Sequence, residues 1–357
     1  MGYKANAEKA LFDLYRWMRK VSGQKKRIKE FSAKQISGSL TKEQEQQIRE
    51  FYAPYEVPNM VFHKYFTSVS GKFYPEYIPQ DLYIAYIDSH FNDIIAAKYY
   101  ENKCNYGALF TGIRQPATVL KRVNNIWMDG ACNPVLPENM DDLLKRNASG
   151  VFVKEAQVSA GGHGVTYLSD TDATAEQILE IAKKIPTDII VQAEIRQHEA
   201  MAKLNPSSVN SLRIYSVLHK NGEVIVYSAV VRMGVGDNKI DNYSAGGMTC
   251  GITEDGHLRK YGYNRLMDQY TEHPTSNISF EGYTIPNYQQ AIELVKKSHP
   301  MVAHFRSIDW DIAIGEDGDP ILIEANMCRG GIDSLQVNNG PLYGKDTKKI
   351  LDEVFGK

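Results

Sequence analysis

The sequence predicts an α+β fold, in which helices cover small sheets and a mainly helical extension stands at the N-terminus. One observation is the segment 309–326, where two apolar strand patterns are joined by a turn at 315–318. Farther upstream, strand patterns at 151–154 and 165–168 flank a glycine-rich loop, and a helical pattern follows at 174–184. Near the N-terminus, apolar residues recur at helical spacing. Strand–helix–strand order of this kind is typical of a small α+β lobe.

Composition and charge exclude several classes of protein. The chain has 357 residues, with 41 Lys and Arg against 43 Asp and Glu and a formal net charge of −2. A chain so close to neutrality has no global field for nucleic acid, and we expect no nucleic-acid partner. No apolar run is long enough to span a bilayer, and charges interrupt the only apolar stretch near the N-terminus. The four cysteines are scattered, without disulfide-framework density or Cys-x-x-Cys spacing. We therefore expect a cytoplasmic protein.

Residues 1–55 are expected to form the helical extension. Apolar residues recur at helical spacing over 11–18, and basic residues lie between them, so the first helix has a basic face. The favoured interpretation is an ordinary solvated helix face, and weak association with an anionic membrane surface is the alternative. A capping box that begins at Thr41 predicts another helix through Phe51, which Pro54 ends.

Residues 56–115 are expected to form a helical and irregular region ahead of the first lobe. The stretch 52–81 is rich in Tyr, Phe and Pro, which predicts well-packed irregular connections rather than regular elements. Helical periodicity returns over 81–110. The residues expected on its buried stripe are Tyr83, Ile84, Ile87 and Phe91. A strand is then expected at 115–120.

Residues 116–190 are expected to form the smaller of two lobes. A short apolar strand ends at Lys154, and a glycine-rich turn follows it. Glycines let backbone N–H groups approach phosphates closely, and a neighbouring lysine can hold phosphate oxygens as a point charge. The turn has neither the Walker A nor the Rossmann pattern, and a glycine hairpin with a solvated lysine is the alternative. The candidate residues of this loop are Ser159, Gly161, Gly162 and Gly164.

Residues 191–357 are expected to form the larger lobe, which carries the candidate metal site. Side chains alternate faces along a strand, so Glu324 and Asn326 share one face, and a hairpin can bring Asp311 opposite them. Three oxygen ligands on one wall suit Mg²⁺, which also keeps waters and phosphate oxygens in its shell. An ordinary acidic hairpin is the alternative.

Two arginines lie on a second predicted hairpin of the larger lobe. An Asn-Gly turn at 221–222 separates the apolar runs 211–218 and 224–232, and this is a strong hairpin signal. Arg213 and Arg232 alternate with buried positions on the two strands, so either can point into a cleft. A guanidinium there suits a phosphate or a carboxylate. An ion pair between strands is the alternative for each arginine.

The order of a strand lysine, a glycine loop, a linker strand and an Asp…Glu-x-Asn wall resembles the ATP-grasp superfamily. In that fold, two α+β lobes grip ATP. The sequence at residues 205–214, 241–247 and 309–311 is similar to that of the branch called sugar-transfer-associated ATP-grasp proteins. The resemblance covers roughly residues 101–340 and implies ATP as the nucleotide and Mg²⁺ as the metal ion. One departure is Glu155, where many ATP-grasp proteins carry proline after the lysine.

The resemblance also implies roles for individual residues. The matching nucleotide-binding positions are Lys103, Lys154, Gln192, Glu194, Ile195, Glu199 and Asn242, together with the glycine loop. The matching metal-binding positions are Asp311, Glu324 and Asn326. In the family, the lysines hold phosphates, the backbone of the hinge strand at 191–195 meets the adenine, and a carboxylate serves the ribose. The sequence leaves open whether Glu194 or Glu199 has that last role.

The resemblance implies an ATP-dependent carboxylate–amine ligase that forms an acylphosphate and ADP. The sequence shows no Ser–His–Asp or Cys–His nucleophile pattern, so positioning and charge neutralisation would carry the chemistry. The implied substrates are a small-molecule carboxylate and an amine from surface-polysaccharide, other cell-envelope or secondary-metabolite biosynthesis. Arg329 and Arg232 are the candidates for holding the carboxylate, while Arg213 is expected to be structural or bound to phosphate.

Two alternatives stay open at the level of sequence. A small-molecule kinase on the same fold would need a carboxylate base near the γ-phosphate, and Asp309 or Asp333 can fill that role. The other alternative is a nucleotide-binding scaffold without catalysis, which the complete set of lysines and metal-ligand candidates disfavours. The sequence does not indicate an oligomeric state.

Overall fold

Two antiparallel sheets, one of five strands and one of seven, organise the chain. The computed structural model describes residue 18 and residues 39–147, 149–157, 164–237, 246–266 and 268–357. The expected N-terminal helix with its basic face therefore lies outside the described residues, apart from Met18. So do Ser159, Gly161, Gly162 and Asn242. No helix in the described ranges is long and apolar enough to cross a membrane.

The region ahead of the smaller lobe is mostly helical. Its elements are α1 (Lys42–Tyr52), α2 (Val61–Ser70), α3 (Gln80–Leu82), a π-helix (Tyr83–Asp88), α4 (Ser89–Phe91), α5 (Ile94–Tyr100), a 3-10 turn (Lys103–Asn105) and α6 (Tyr106–Leu109). The predicted capping box of α1 is confirmed, because Thr41 Oγ1 accepts from Gln44 N–H at 3.1 Å and Gln44 Oε1 accepts from Thr41 N–H at 2.9 Å. These reciprocal bonds satisfy donors that the first helical turn leaves free.

Two expectations for this region are wrong. The stretch 52–81 is not wholly irregular, because α2 forms within it and buries Phe62, Tyr65 and Phe66. These aromatic residues are spaced three and four apart, which places them on one helical face. The buried stripe expected after residue 81 is confirmed at Tyr83, Ile87 and Phe91 and is wrong at Ile84, since the π-helix changes the angular spacing of its residues. Consequently Ala85 is buried and Ile84 is only half-buried.

The five-stranded sheet forms the smaller lobe, with strand order β2-β1-β5-β3-β4. The strands are β1 (Thr118–Val123), β2 (Ile126–Met128), β3 (Val151–Glu155), β4 (Val165–Leu168) and β5 (Ile189–Ala193). A 3-10 turn (Pro137–Asn139), α7 (Met140–Arg146) and α8 (Ala175–Lys183) complete the lobe. The strand expected at 115–120 begins only at Thr118, and Pro116 before it has no N–H to donate to a ladder. The Gln115 side chain donates to the carbonyls of Tyr106 and Phe110.

One face of the smaller sheet is buried against α7 and α8. Val151, Val153, Ile189 and Val191 belong to the core cluster between them. Because side chains alternate along a strand, the residues between these positions point to the opposite face. That face carries Lys154 and is the one available to a ligand.

The seven-stranded sheet forms the larger lobe, with strand order β10-β9-β8-β7-β6-β11-β12. The strands are β6 (Ser211–Leu218), β7 (Val224–Met233), β8 (Met248–Ile252), β9 (Leu258–Asn264), β10 (Gln269–Tyr270), β11 (Ser307–Ile314) and β12 (Pro320–Asn326). The helices are α9 (Glu199–Leu204), α10 (Tyr288–Ser298), a 3-10 turn (His299–Val302), α11 (Asp333–Asn339), a 3-10 turn (Gly344–Asp346) and α12 (Thr347–Phe355). The predicted β6–β7 and β11–β12 hairpins are both confirmed.

The two faces of the larger sheet have different partners. One face packs against α10 through a cluster that includes Trp310 and Ile312. The other face packs against α1, the π-helix and the C-terminal helices through Tyr215, Val217 and Val230. The polar residues of the candidate site lie on this second face, beside the apolar cluster.

Candidate active site

The β11–β12 hairpin places the predicted metal ligands together on one face of the larger sheet. In its register, Asp311 lies directly opposite Glu324, and Asp309 lies directly opposite Asn326. Directly opposed residues of an antiparallel pair point to the same side, so all four side chains line one wall. The Asn326 amide donates to Asp311 Oδ2 at 3.4 Å and to the Asp309 carbonyl at 3.2 Å. We call Asp311, Glu324 and Asn326 the oxygen wall.

Two arginines from neighbouring strands hold Asp311. Arg213 donates from Nε to Oδ1 at 2.9 Å and from Nη2 to Oδ2 at 2.8 Å. Arg232 donates from Nη1 to Oδ2 at 2.9 Å. Burial would raise the pKa of Asp311, but the two guanidinium groups outweigh it and lower that pKa to about 2. The structure thus shows both arginines in ion pairs between strands, and their predicted catalytic role stays a prediction.

Lys103 joins the oxygen wall to the smaller lobe. Its Nζ lies 2.7 Å from Glu324 Oε1, and its side chain is only 8% exposed. Its backbone N–H donates to the Ala156 carbonyl at 2.8 Å, one residue beyond β3. The 3-10 turn that carries Lys103 is capped by Asn102, whose Oδ1 accepts from Cys104 N–H at 3.0 Å. One side chain therefore lies where the two sheets approach each other.

The open face of the smaller sheet carries the second predicted lysine. Lys154 Nζ donates to Gln192 Oε1 at 3.2 Å across β3 and β5. The rings of Phe152 and Tyr167 are neighbours on the same face, with centroids 5.1 Å apart. Tyr167 also donates from its hydroxyl to Glu194 Oε2 at 3.0 Å. A basic group, two aromatic rings and hydrogen-bonding groups on one face suit a nucleotide base and its phosphates.

The other nucleotide-binding candidates are more dispersed. Gly164 precedes β4 and has a positive φ of 79°, a conformation that favours glycine. Ile195 is half-buried just after β5, so the hinge expected at 191–195 begins inside the central strand of the smaller sheet. Glu199 is 82% exposed at the start of α9 and pairs with Lys203 at 3.7 Å. Glu194 lies beside the aromatic pair, where it accepts from the Tyr167 hydroxyl, and the ribose-binding role of Glu194 or Glu199 stays a prediction.

Asp309 is on the same wall but is not accessible. It is 1% exposed, and neither carboxylate oxygen has a hydrogen-bond partner among the described residues. Gly330 covers it: a Cβ on Gly330 would lie 1.9 Å from Asp309 Oδ2. Burial therefore raises the pKa of Asp309 to about 7.

Sequence reasoning missed three side chains that contact the loop 327–332 behind the oxygen wall. Glu101, Asp88 and Gln80 each bind its backbone. They lie more than 220 residues away in sequence, and no motif or periodicity marks them. Only the three-dimensional packing of the helical region on the larger sheet brings them to the site. The loop also contains Arg329, which is exposed.

The oxygen wall has the donor chemistry that Mg²⁺ requires. Two carboxylates and one amide oxygen from adjacent strands are hard ligands of the kind that Mg²⁺ takes. In the described part of the chain, no group of three or more His, Cys, Asp or Glu side chains is arranged to hold a metal ion. A metal bound at the three residues of the oxygen wall would complete its shell with phosphate oxygens and water, as Mg²⁺ commonly does.

These features together define the class of the protein. Two α+β lobes with a lysine on the open face of one and an oxygen wall on the other make an ATP-grasp protein. The family model described as sugar-transfer associated ATP-grasp matches residues 86–351, which is more than half of the 357 residues. The chain therefore belongs to this family. A comparison with curated proteins finds no match.

Several solved structures share part of the fold. The ADP complex of purK, an N5-carboxyaminoimidazole ribonucleotide synthetase, is 11% identical with a TM-score of 0.39, over 64% of this chain and 45% of the other. The ATP-grasp ligase PsnB with a minimal precursor is 12% identical with a TM-score of 0.41, over 78% and 68%. The VanG D-Ala:D-Ser ligase from Enterococcus faecalis is 13% identical with a TM-score of 0.43, over 72% and 61%.

These similarities are too low to assign an activity. The chain spans less than two thirds of the purK and VanG structures. The family match alone carries the identification.

Proposed function

We propose that this protein is an ATP-dependent carboxylate–amine ligase. The observation that carries the proposal is the contact of Lys103 with Glu324, because it joins the smaller lobe to the oxygen wall. ATP bound along the open face of the smaller sheet would extend its phosphates toward that contact. Lys103 and Lys154 would then neutralise phosphate charge, which is what phosphoryl transfer chiefly asks of a protein.

The proposed reaction has two balanced steps. A carboxylate oxygen attacks the γ-phosphorus of ATP, the bond to the β,γ-bridging oxygen breaks, and ADP leaves with that electron pair. The product is an acylphosphate. An amine then attacks the acyl carbon, a proton leaves the nitrogen, and inorganic phosphate departs as the amide forms. The protein's task is to hold these groups in line and to keep water from the acylphosphate.

Mg²⁺ bound at Asp311, Glu324 and Asn326 would supply positive charge to the phosphate oxygens. For this to happen, the pairs that Glu324 and Asp311 form with Lys103 and the arginines must be exchanged for phosphate contacts. A triphosphate brings the negative charge that makes such an exchange favourable. We therefore infer that nucleotide and metal enter the site together.

The carboxylate substrate also needs a cation, because its charge is repelled by the triphosphate. Arg329 follows Asn326 by three residues, is exposed, and its guanidinium makes no ion pair within the described residues. Arg213 and Arg232 both form ion pairs with Asp311. Arg329 is accordingly our first candidate for holding the carboxylate, and Arg232 is the second.

The proposed substrate class rests on the family alone. Its description as sugar-transfer associated supports a carboxylate and an amine from surface-polysaccharide, other cell-envelope or secondary-metabolite biosynthesis.

The kinase alternative finds less support in the structure. A kinase base must reach the acceptor hydroxyl, yet Asp309 is 1% exposed beneath Gly330, and Asp333 is 6% exposed. A non-catalytic scaffold would need neither the oxygen wall nor the buried Lys103. The ligase accounts for more of the site than either alternative.

The test is incubation with ATP, Mg²⁺, pooled carboxylates and hydroxylamine, followed by assays for ADP and for hydroxamate. Hydroxylamine captures an acylphosphate but not a phosphate ester, so hydroxamate together with ADP supports the ligase. ADP and a stable phosphate ester, without hydroxamate, would identify a kinase. Binding of ATP without turnover of any pool would identify a scaffold.

A further inference from the structure

The loop 327–332, directly behind the oxygen wall, is held by side chains from the helical region that precedes the smaller lobe. Glu101 Oε1 accepts from Met327 N–H at 2.8 Å and from Cys328 N–H at 3.0 Å. Asp88 Oδ2 accepts from the next N–H, that of Arg329, at 3.1 Å. Three consecutive backbone donors are thus bound by two carboxylates.

A third side chain holds the far end of the same loop. Gln80 donates from Nε2 to the Gly330 carbonyl at 2.9 Å and accepts from Ile332 N–H at its Oε1, also at 2.9 Å. We call Gln80, Asp88 and Glu101 the loop clamp. Because side-chain to backbone bonds of this kind fix a loop that has no ladder of its own, the clamp determines its conformation.

Arg329 shows why such a clamp is needed. Its φ is 61°, in the left-handed region that residues other than glycine rarely adopt. A backbone of this kind persists only where its surroundings hold it. The bond from Asp88 is made to the N–H of this same residue, so Asp88 acts at the strained position itself.

Asp88 is itself rigidly placed. It is 1% exposed, and its Oδ1 accepts from Asn92 Nδ2 at 2.9 Å. Asn92 in turn accepts from Ser307 N–H at 3.0 Å and donates to the Ser307 carbonyl at 3.0 Å. Ser307 begins β11, the strand that carries Asp311. Asp88 therefore ties the Arg329 backbone to the start of the metal strand.

We propose that Asp88 is a positioning residue for the reaction, and that it acts by holding Arg329 beside the oxygen wall. This inference rests on the proposed function. It gives the helical region a part in the active site, although Lys103 is its only candidate for contact with the nucleotide. Asp88 acts through the Arg329 backbone, whose N–H its carboxylate binds.

The first test compares Asp88→Asn with Asp93→Asn, an exposed aspartate of the same region. An asparagine has one acceptor oxygen, so it cannot serve both Asn92 and the Arg329 N–H. We expect Asp88→Asn to lower hydroxamate formation at least tenfold while the affinity for ATP changes less than twofold. Asp93→Asn should change neither. Equal turnover in wild type and Asp88→Asn would overturn the proposal.

A double-mutant cycle separates positioning from general structural support. If Asp88 acts through Arg329, Asp88→Asn should lower turnover at least tenfold in the wild type and no more than twofold in an Arg329→Ala background. The same loss in both backgrounds would overturn the proposal. The midpoint of urea unfolding is measured for each variant, so that a loss of folded protein is not counted as a loss of turnover.

Amide hydrogen exchange tests the contact between Asp88 and the Arg329 backbone without depending on turnover. Peptides that cover 327–332 should exchange faster in Asp88→Ala than in wild type, because the Arg329 N–H loses its acceptor. Unchanged protection there would overturn the proposal even if the wild type proves inactive. If the wild type releases ADP but traps no hydroxamate, the ligase assignment fails, and the Asp88–Arg329 cycle is then measured on ADP release.

Discussion

Arg213 and Asp311 form a two-pronged ion pair across β6 and β11, with N···O distances of 2.9 and 2.8 Å. The pair neutralises the charge of a candidate metal ligand. Burial works against the charge on Arg213, yet Asp311 outweighs it and raises the pKa of the guanidinium. A metal ion that arrives alone must therefore displace a strong partner, whereas one that arrives with a triphosphate gives the arginine a new one.

The first prediction follows from this pair. Mn²⁺, used as a paramagnetic stand-in for Mg²⁺, should bind at least about tenfold more tightly with ADP or a non-hydrolysable ATP analogue than without, a coupling of about 1.4 kcal/mol. Electron paramagnetic resonance titration of free Mn²⁺ measures it directly. Equal affinity with and without nucleotide would show that the arginines do not oppose the metal.

The second prediction concerns the metal ligand Glu324. Glu324→Gln keeps the shape of the side chain but removes the charge that a hard dication prefers. We expect ATP turnover to fall by about a hundredfold or more, with the fold intact. Glu316→Gln makes the same chemical change at an exposed position in the turn of the same hairpin, and it should leave turnover unaltered. Normal activity of Glu324→Gln at limiting Mg²⁺ would remove Glu324 from the metal site.

The third prediction concerns Lys154. Lys154→Ala should weaken ATP binding by about tenfold, or about 1.4 kcal/mol, because a point charge beside the phosphates is lost. Lys154→Arg should restore only part of the affinity, since the planar guanidinium cannot copy the ammonium geometry. Lys145→Ala, at an exposed site of the same lobe, is the control in the calorimetry. If Lys154→Ala binds ATP as the wild type does, the nucleotide does not lie on this face.

The fourth prediction separates two arginines by their burial. Arg329→Ala removes an exposed side chain, so it should lower turnover by about a hundredfold, about 3 kcal/mol, with little change in stability. Arg232→Ala leaves the buried Asp311 with one partner fewer, and it should lower the free energy of unfolding by about 3 kcal/mol as well as turnover. Both variants are measured by urea unfolding and by steady-state kinetics on the carboxylate found by hydroxamate trapping. If Arg329→Ala retains near-normal turnover and substrate affinity, the carboxylate is held elsewhere.

The fifth prediction concerns pH and Asp309. Burial raises the pKa of Asp309 from 3.8 to about 7, so the folded protein holds a proton that the unfolded chain releases within that window. The contribution of Asp309 to stability should therefore fall as pH rises through this window, and the full cost of its buried charge is present above pH 7. Asp309→Asn should be more stable than wild type at pH 8 by about 1 kcal/mol or more, and the difference should vanish near pH 4.

Urea unfolding between pH 4 and pH 8 in the presence of EDTA measures this difference. Other buried groups titrate in both proteins: the pKa of Glu101 is raised to about 7, and the pKa values of His63 and His299 are lowered to about 4. The contribution of Asp309 is therefore read from the difference between wild type and variant at each pH. Identical pH profiles for wild type and Asp309→Asn would contradict the buried charge.

Local sequence patterns predicted those helix ends and turns whose geometry depends only on residues a few positions apart in the sequence. The capping box at Thr41 and the Asn-Gly turn before β7 specify their own geometry, because each joins residues only a few positions apart. The oxygen wall was also predictable, since alternation along β12 and one hairpin turn fix which side chains face Asp311.

The partners of the site residues were not predictable in the same way. Arg213 lies opposite Asp311 only because β6 pairs with β11 in one register, and a slip of one residue would turn it to the other face. The Asp88–Arg329 bond joins positions 241 residues apart. Neither element carries a pattern that specifies the other, so such contacts emerge from packing alone.

Oxygen-18 transfer tests the central claim most directly. The carboxylate identified by hydroxamate trapping is labelled with ¹⁸O at its carboxyl group and incubated with ATP, Mg²⁺ and its amine partner. If an acylphosphate forms, the inorganic phosphate released in each turnover carries one oxygen from the carboxylate, which ³¹P nuclear magnetic resonance detects. Release of unlabelled phosphate alongside amide formation would contradict the acylphosphate mechanism.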